Sequence, residues 1–419
     1  VDTPPRSTDG DGPRRKRRRG PFAVPLTRRA ALAAAAGAGV GAGLERVLGG
    51  GSPPREAAAR GPGTVPFHGE HQAGIATPAQ DHLQFVAFDL TTRSAARLRE
   101  LLERWTEAAA ALTAGRAFQP APQAAGAAPS DPGEAVGLPP ARLTLTFGFG
   151  PGLFAGPQAP PALRRHRPAV LKPLPPFAGD ELDPAASGGD LCVQACADDP
   201  QVAFHAVHVL SMLAAPGAAL RWSQGGFRRP VGGGPALPRN LIGFIDGINN
   251  LRAEDPAALE RYVWVQAGDG PAWMAGGSYL VARRIEIQFS SWDGLSLASQ
   301  EQTIGRHKRS GARLAVLPPH AHIRQAAPAA GSAERILRRG FNYASSAERL
   351  ADAGGGGELR GGLFFIAFAR DPVRQFIPLQ RRLAARDALS AFTLHRASAI
   401  FACPPGVRPG GFLGEGLFA

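Results

Sequence analysis

Four short stretches of this 419-residue chain carry side chains that can move protons, hold a metal or steady charge. "GFIDGINN" (243–250) sets Asp246 before Gly247, with Asn250 close behind. An acid on a tight Asp-Gly turn can work as a general acid or base, although a turn needs the same pair. "PPHAHIRQAAP" (318–328) holds His320, His322 and Arg324. "RILRRGFNY" (335–343) holds Arg335, Arg338 and Arg339, and "FARDP" (368–372) holds Asp371. An imidazole can ligate a metal or carry a proton. A guanidinium is a permanent cation suited to a developing anion. Each residue also has a plain structural role: turn acid for Asp246, loop histidine for His322, solvated edge for Arg338 and Arg339, helix cap for Asp371. No zinc-ligand spacing, nucleophile elbow, P-loop or dinucleotide fingerprint accompanies them. His205 and His208, three apart on an expected helix, read as local packing. Cys192, Cys196 and Cys403 offer no disulfide framework and read as small buried apolar residues.

The elements that must position these residues form two similar sets. "HLQFVAFDL" reads as a buried strand, and "RSAARLRELLERWTEAAAALTAG" as a helix with Leu98, Leu101, Leu102, Trp105, Ala109 and Leu112 on one face. "RLTLTFGFG" and "GDLCVQACADD" follow as strands, and "PQVAFHAVHVLSMLAA" as a helix. The second set runs "SYLVARRIEIQFS", "WDGLSLASQEQTIGRHK", "GGLFFIAFARD", "PVRQFIPLQRRLAAR" and "ASAIFACPP", as strand, helix, strand, helix and strand. Leu191–Phe204 placed over Leu363–Phe376 matches at Leu, Ala, Ala, Asp, Pro and Phe without a gap. In both copies Asp-Pro opens the helix, Asp capping and Pro at its first position. The expected fold is therefore α+β, a duplicated ferredoxin-like pair with antiparallel sheets and helices. The Gly/Pro-rich segment from Arg221 to Asn250 reads as a crossing between the halves, and a crevice there is the expected ligand site. The boundaries drawn are 1–59, 60–225 and 226–419.

Composition narrows the functions open to such a chain. Hydrophobic residues make up 44%, enough for large cores. The formal charge is +13, but eleven basic and five acidic residues fall in the first 59 and leave a body near +7. Without a dense basic stripe, that argues against nucleic acid as a partner. The first 59 residues read as an address. A basic block (Arg14–Arg19), the pair Arg28-Arg29 and an Ala/Gly-rich run (Ala30–Leu44) come in the order of a twin-arginine signal. A small-residue cleavage site is expected near Ala57–Ala59, and the protein is expected outside the cytoplasm: periplasmic, cell-envelope or extracellular. No other segment has about 18 continuous apolar residues, so no stable membrane span is expected.

The motifs resemble, in order, those of the dye-decolourising haem peroxidases, and most closely their twin-arginine-exported, deferrochelatase-type branch. The resemblance runs from Gly69 to Leu417 and includes "LTFGFGPGLF", "RWSQGGF", "PRNLIGFIDGINN", "QEQTIGRHKRSGARL", "HIR" and "ILRRGFNY". It implies a duplicated ferredoxin-like fold with one haem b per chain in the C-terminal half. It implies that His322 ligates the iron and that Asp371 accepts a hydrogen bond from the far nitrogen of that ring. It places Asp246 as acid–base and Arg338 as charge stabiliser on the peroxide side, with Gly247, Asn250 and Arg324 around the cofactor. Hydrogen peroxide and small aromatic donors such as dyes or phenols would be the substrates. Trp264, Trp273, Trp292 and Tyr343 read as core aromatics with a possible second use in electron relay. An exported haem-handling protein that releases iron from haem is the alternative, and iron-uptake components or a homo-oligomer are the macromolecular partners it leaves open. Ile245, Ile248 and Leu251 depart from the family's Lys, Thr and Pro. Ala327, Pro328 and Ala329 stand where the family often has Asn-Pro-Arg, so its propionate-binding arginine is missing. Arg324 and Arg335 are the two substitutes read from the sequence.

Overall fold

A computed structural model describes residues 63–119, 126, 128–230, 237–328, 332–345 and 359–419. The signal-like segment and Ala329 lie outside the described residues. In the first half, β1 (His82–Leu90), α1 (Ala95–Thr113), β2 (Thr144–Phe149) and α2 (Pro151–Ala155) lead to β3 (Leu191–Ala197), α3 (Pro200–Ala214) and β4 (Ala218–Phe227). In the second half, β5 (Ser278–Ile287) follows α4 (Pro256–Tyr262). After it come α5 (Phe289–Asp293), α6 (Leu297–Ile304), α7 (His322–Gln325), β6 (Leu337–Arg338), β7 (Phe341–Ser345), β8 (Arg360–Ala369), α8 (Phe376–Arg386) and β9 (Thr393–Cys403).

The duplication is visible in the pairing. Within the first half β1 lies between β3 and β4, and β3 pairs β2; within the second β5 lies between β8 and β9, and β8 pairs β6 and β7. All these pairs are antiparallel. The halves join at two seams, Phe149 opposite Ala402 and Phe227 opposite Asn342. The sheet thus closes on itself and hides its edges.

Two expectations change here. "RWSQGGF" is not a crossing but most of β4, which runs to Phe227. "WDGLSLASQEQTIGRHK" is broken: α5 stops at Gly294, Ser296 caps α6, and Gly305 at φ 90° ends it. The strands β2 and β3 are buried along their whole length, because helices cover one face and the interior of the closed sheet lies on the other. Leu98, Leu102 and Trp105 of α1 pack with Val202, Leu210 and Phe88 in the main core. Cys192, Cys196 and Cys403 are free and buried inside the closed sheet. His205 and His208 share the carboxylate of Glu134. Burial works against that charge, but the two histidines overcome it and hold its pKa at about 2. Among the described residues no cluster could hold a metal ion, and no helix is long and apolar enough to cross a membrane.

Candidate functional site

The loop that carries Asp246 is fixed by its own polar groups. Asn240 accepts from the Phe244 N–H with its side chain and exchanges backbone bonds with Phe244 and Gly243. Asp246 donates its N–H to Pro238 O, and Gly243 and Gly247 take φ of 85° and 91°, where a side chain would be strained. Asn250 then ties this loop to β6. Its Nδ2 donates to Arg338 O (2.8 Å) and its Oδ1 accepts from the Arg338 N–H (2.9 Å), as a neighbouring strand would. That clamp sets Arg338 beside Asp246, and Arg338 Nη1 donates to Asp246 Oδ1 at 3.1 Å. Both side chains are partly exposed, 32% and 26%.

His322 opens α7, and the end of α8 holds it in place. Ala388 donates its N–H to His320 O, and Arg382 of α8 donates to the carbonyls of Gln325 and Ala327. These bonds satisfy carbonyls that a four-residue helix leaves open. His322 Nδ1 then meets Asp387 Oδ2 at 2.6 Å. The other oxygen of Asp387 accepts from the Leu389 N–H. With Nδ1–H donated to a buried carboxylate, Nε2 is the nitrogen with a free lone pair.

This corrects the assignment of Asp371. Its Oδ1 accepts from the Val373 and Arg374 N–H groups in the turn before α8, and it does not line the cavity that receives His322. Capping uses its Oδ1 and Oδ2 faces Arg374, whereas Asp387 at the far end of α8 is the residue that reaches the imidazole. No local signal in "RDALSAF" marks Asp387 as the partner of a histidine 65 positions away.

One cavity, about 460 Å³, brings His322, Asp246 and Arg338 together. Its lining runs only from Asn240 to His395, so it lies in the C-terminal half and not in a crevice between halves. Ile242, Phe244, Ile285, Ile287, Leu363 and Phe365 supply apolar wall. Ile245 and Ile248 line it too, and a side chain at Gly311 would strike Ile248 Cδ1 at 2.8 Å. Gly247 and Arg324 are also on the wall. Asn250 is not; its amide is occupied by Arg338, so it positions and does not contact a ligand there. Sequence reasoning missed His395, which also lines the cavity. It accepts from Arg283 Nε at 3.2 Å, and burial together with the Arg283 charge pushes its pKa down to about 4. Arg283, 1% exposed, is in turn paired with Asp180. Trp264, Trp273, Trp292 and Tyr343 are all buried in the cores.

The N-terminal Dyp-type peroxidase family model matches residues 72–228, and the C-terminal one matches 237–408. A dye-decolorizing peroxidase of Thermobifida fusca (strain YX) is 37% identical, over 83% of this chain and 83% of its own. A deferrochelatase of Escherichia coli (strain K12) is 32% identical, over 82% of this chain and 84% of its own. Ferric DtpA from Streptomyces lividans superposes with a TM-score of 0.76 at 36% identity, covering 85% of this chain and 98% of that one. The closed, duplicated sheet, the cavity in its C-terminal half and these matches agree: this chain belongs to the Dyp-type peroxidase family and is an oxidoreductase of that kind.

Proposed function

We propose that this chain is a haem b peroxidase in which His322 holds the cofactor and Asp246 and Arg338 handle the peroxide. The observation that carries the reading is that one cavity receives all three side chains, with His322 already oriented by Asp387. The residues fit the cofactor. The cavity has the size of a small-molecule site, its wall is largely apolar, and its one imidazole with an open lone pair suits iron. When bound, haem supplies the redox chemistry that breaks the peroxide O–O bond and takes electrons back from a donor.

The protein supplies the proton and the charge. Asp246 Oδ1 is taken by Arg338, which leaves Oδ2 to accept the proton of one peroxide oxygen and return it to the other. Arg338 stabilises the negative charge that builds on the departing oxygen. Asp387 makes the imidazole of His322 a stronger donor and fixes its plane. Dyes are the donors this reading assigns, as the name of the Thermobifida fusca relative suggests, with phenols added from the motif resemblance.

A second reading, release of iron from haem, draws on the deferrochelatase relative. It needs the pocket and His322 but no acid–base work by Asp246. Export by the twin-arginine route belongs to either reading and draws on the order of basic block, Arg28-Arg29 and Ala-rich run. The separating experiment is Asp246→Asn in haem-loaded protein, mixed with peroxide by stopped flow. The rate should fall by about 10²–10⁴ with the haem spectrum kept. A rate within threefold of the parent would move the function to haem handling.

A further inference from the structure

Among the described residues six arginines line the cavity, and the hydrogen bonds sort them. Arg283 is committed to Asp180 and His395, and Arg338 to Asp246. Arg324 donates to Leu317 O at 3.2 Å, and Arg335 lies over the Tyr262 ring at 5.5 Å. Arg306 Nη1 donates to Gly311 O at 2.9 Å. Arg313 is exposed, and alone of the six its side chain makes no hydrogen bond, ion pair or ring contact among the described residues. The acids do not answer this charge. Glu334 on the same wall is held by Arg382, and Asp387 by His322.

Arg313 is nevertheless well placed. It lies opposite Arg306 in an antiparallel bridge. Along this hairpin His307 donates its N–H to Ala312 O, Gly311 to His307 O and Leu314 to Gly305 O, and Glu301 accepts from the Lys308 N–H at its tip. The hairpin rests on Ile245 and Ile248 through Gly311. Burial, then the charges of Arg313 and Arg338, pull the Arg306 guanidinium below its ordinary pKa. Three cations therefore share one side of the cavity, and the one carboxylate bonded to any of them is Asp246, on Arg338, an arrangement that calls for an anionic ligand group.

We propose that Arg313, supported by Arg306, is the clamp for the ionised carboxylates of the haem, in place of the arginine missing after Pro328. This rests on the haem reading above. It also revises the substitutes read from the sequence, since Arg324 and Arg335 are already engaged. A solvent-facing guanidinium suits the task, because an ionised haem carboxylate costs least to hold at the wet edge of the site.

The test compares haem with its dimethyl ester, in which both carboxylates are capped. Each is loaded into the full chain, and its loss to excess apomyoglobin is timed. Arg313→Ala should release haem about tenfold faster than the parent and release the ester at the parent's rate. Arg313→Lys should recover part of the difference. Equal acceleration for haem and ester, or no acceleration, would overturn the clamp, as would an ester-sensitive loss in Arg324→Ala or Arg335→Ala but not in Arg313→Ala. A parent chain that takes up neither porphyrin would remove the haem reading itself, and the clamp with it.

Discussion

Asp371 and Asp387 flank α8, whose eleven residues span about 16 Å, and only one of them can serve His322. The choice was invisible in the sequence because both acids have a capping role that explains them. Asp371 repeats the Asp-Pro boundary of Asp199, and that repeat makes it conspicuous; Asp387 caps a short 3-10 turn and has no copy. The two differ in what remains after capping. Asp387 keeps an oxygen for His322, while the second oxygen of Asp371 faces Arg374 at 3.6 Å. In haem-loaded protein, Asp387→Asn should raise the reduction potential by weakening electron donation from the imidazole. Asp371→Asn should leave the potential alone and, because an Asn oxygen caps as an Asp oxygen does, should leave stability almost unchanged. Potentiometric titration of both variants checks the pair, and a shift confined to Asp371→Asn would restore the original assignment.

At the scale of elements, strand and helix identity was legible where pattern and caps coincide. The face of α1, the Asp-Pro start of α3 and the strands β5, β8 and β9 all follow from spacing. β4 was hidden because "RWSQGGF" has no fully buried residue and carries two glycines, which read as a connection. The closure of the sheet was hidden for another reason: it depends on two short seams, Phe149 with Ala402 and Phe227 with Asn342, that no local rule encodes. The segment around Asp180 shows the same limit. It reaches from the first half onto β5 and β9, where Asp180 neutralises Arg283 at the cavity wall, with 6% and 1% of their side chains exposed. Asp180→Asn would leave that guanidinium buried without a counter-charge. Urea denaturation should show a loss of about 3–5 kcal/mol, and an unchanged midpoint with unchanged slope would mean that the cation is solvated from the cavity.

The whole molecule places its chemistry in one of two similar halves. Each half folds as helices on an antiparallel sheet, and in each a long connection separates the first two strands; in the first half it carries α1, whereas in the second it runs from α5 through α7 and delivers the hairpin at Arg313 and the imidazole of His322. The loop with Asp246 comes from before β5 and is joined to the same cavity by the Asn250 clamp. The four motifs of the sequence are thus three walls of one site and one cap outside it. The most direct test of this account is a haem titration of the purified full chain, followed by absorption spectroscopy before and after peroxide, beside His322→Ala. The parent should saturate at one haem per chain, give a ferric Soret band and change it on adding peroxide. His322→Ala should lose that band or the haem itself. A chain that stays colourless with haem, or a His322→Ala spectrum identical to the parent's, would contradict the account.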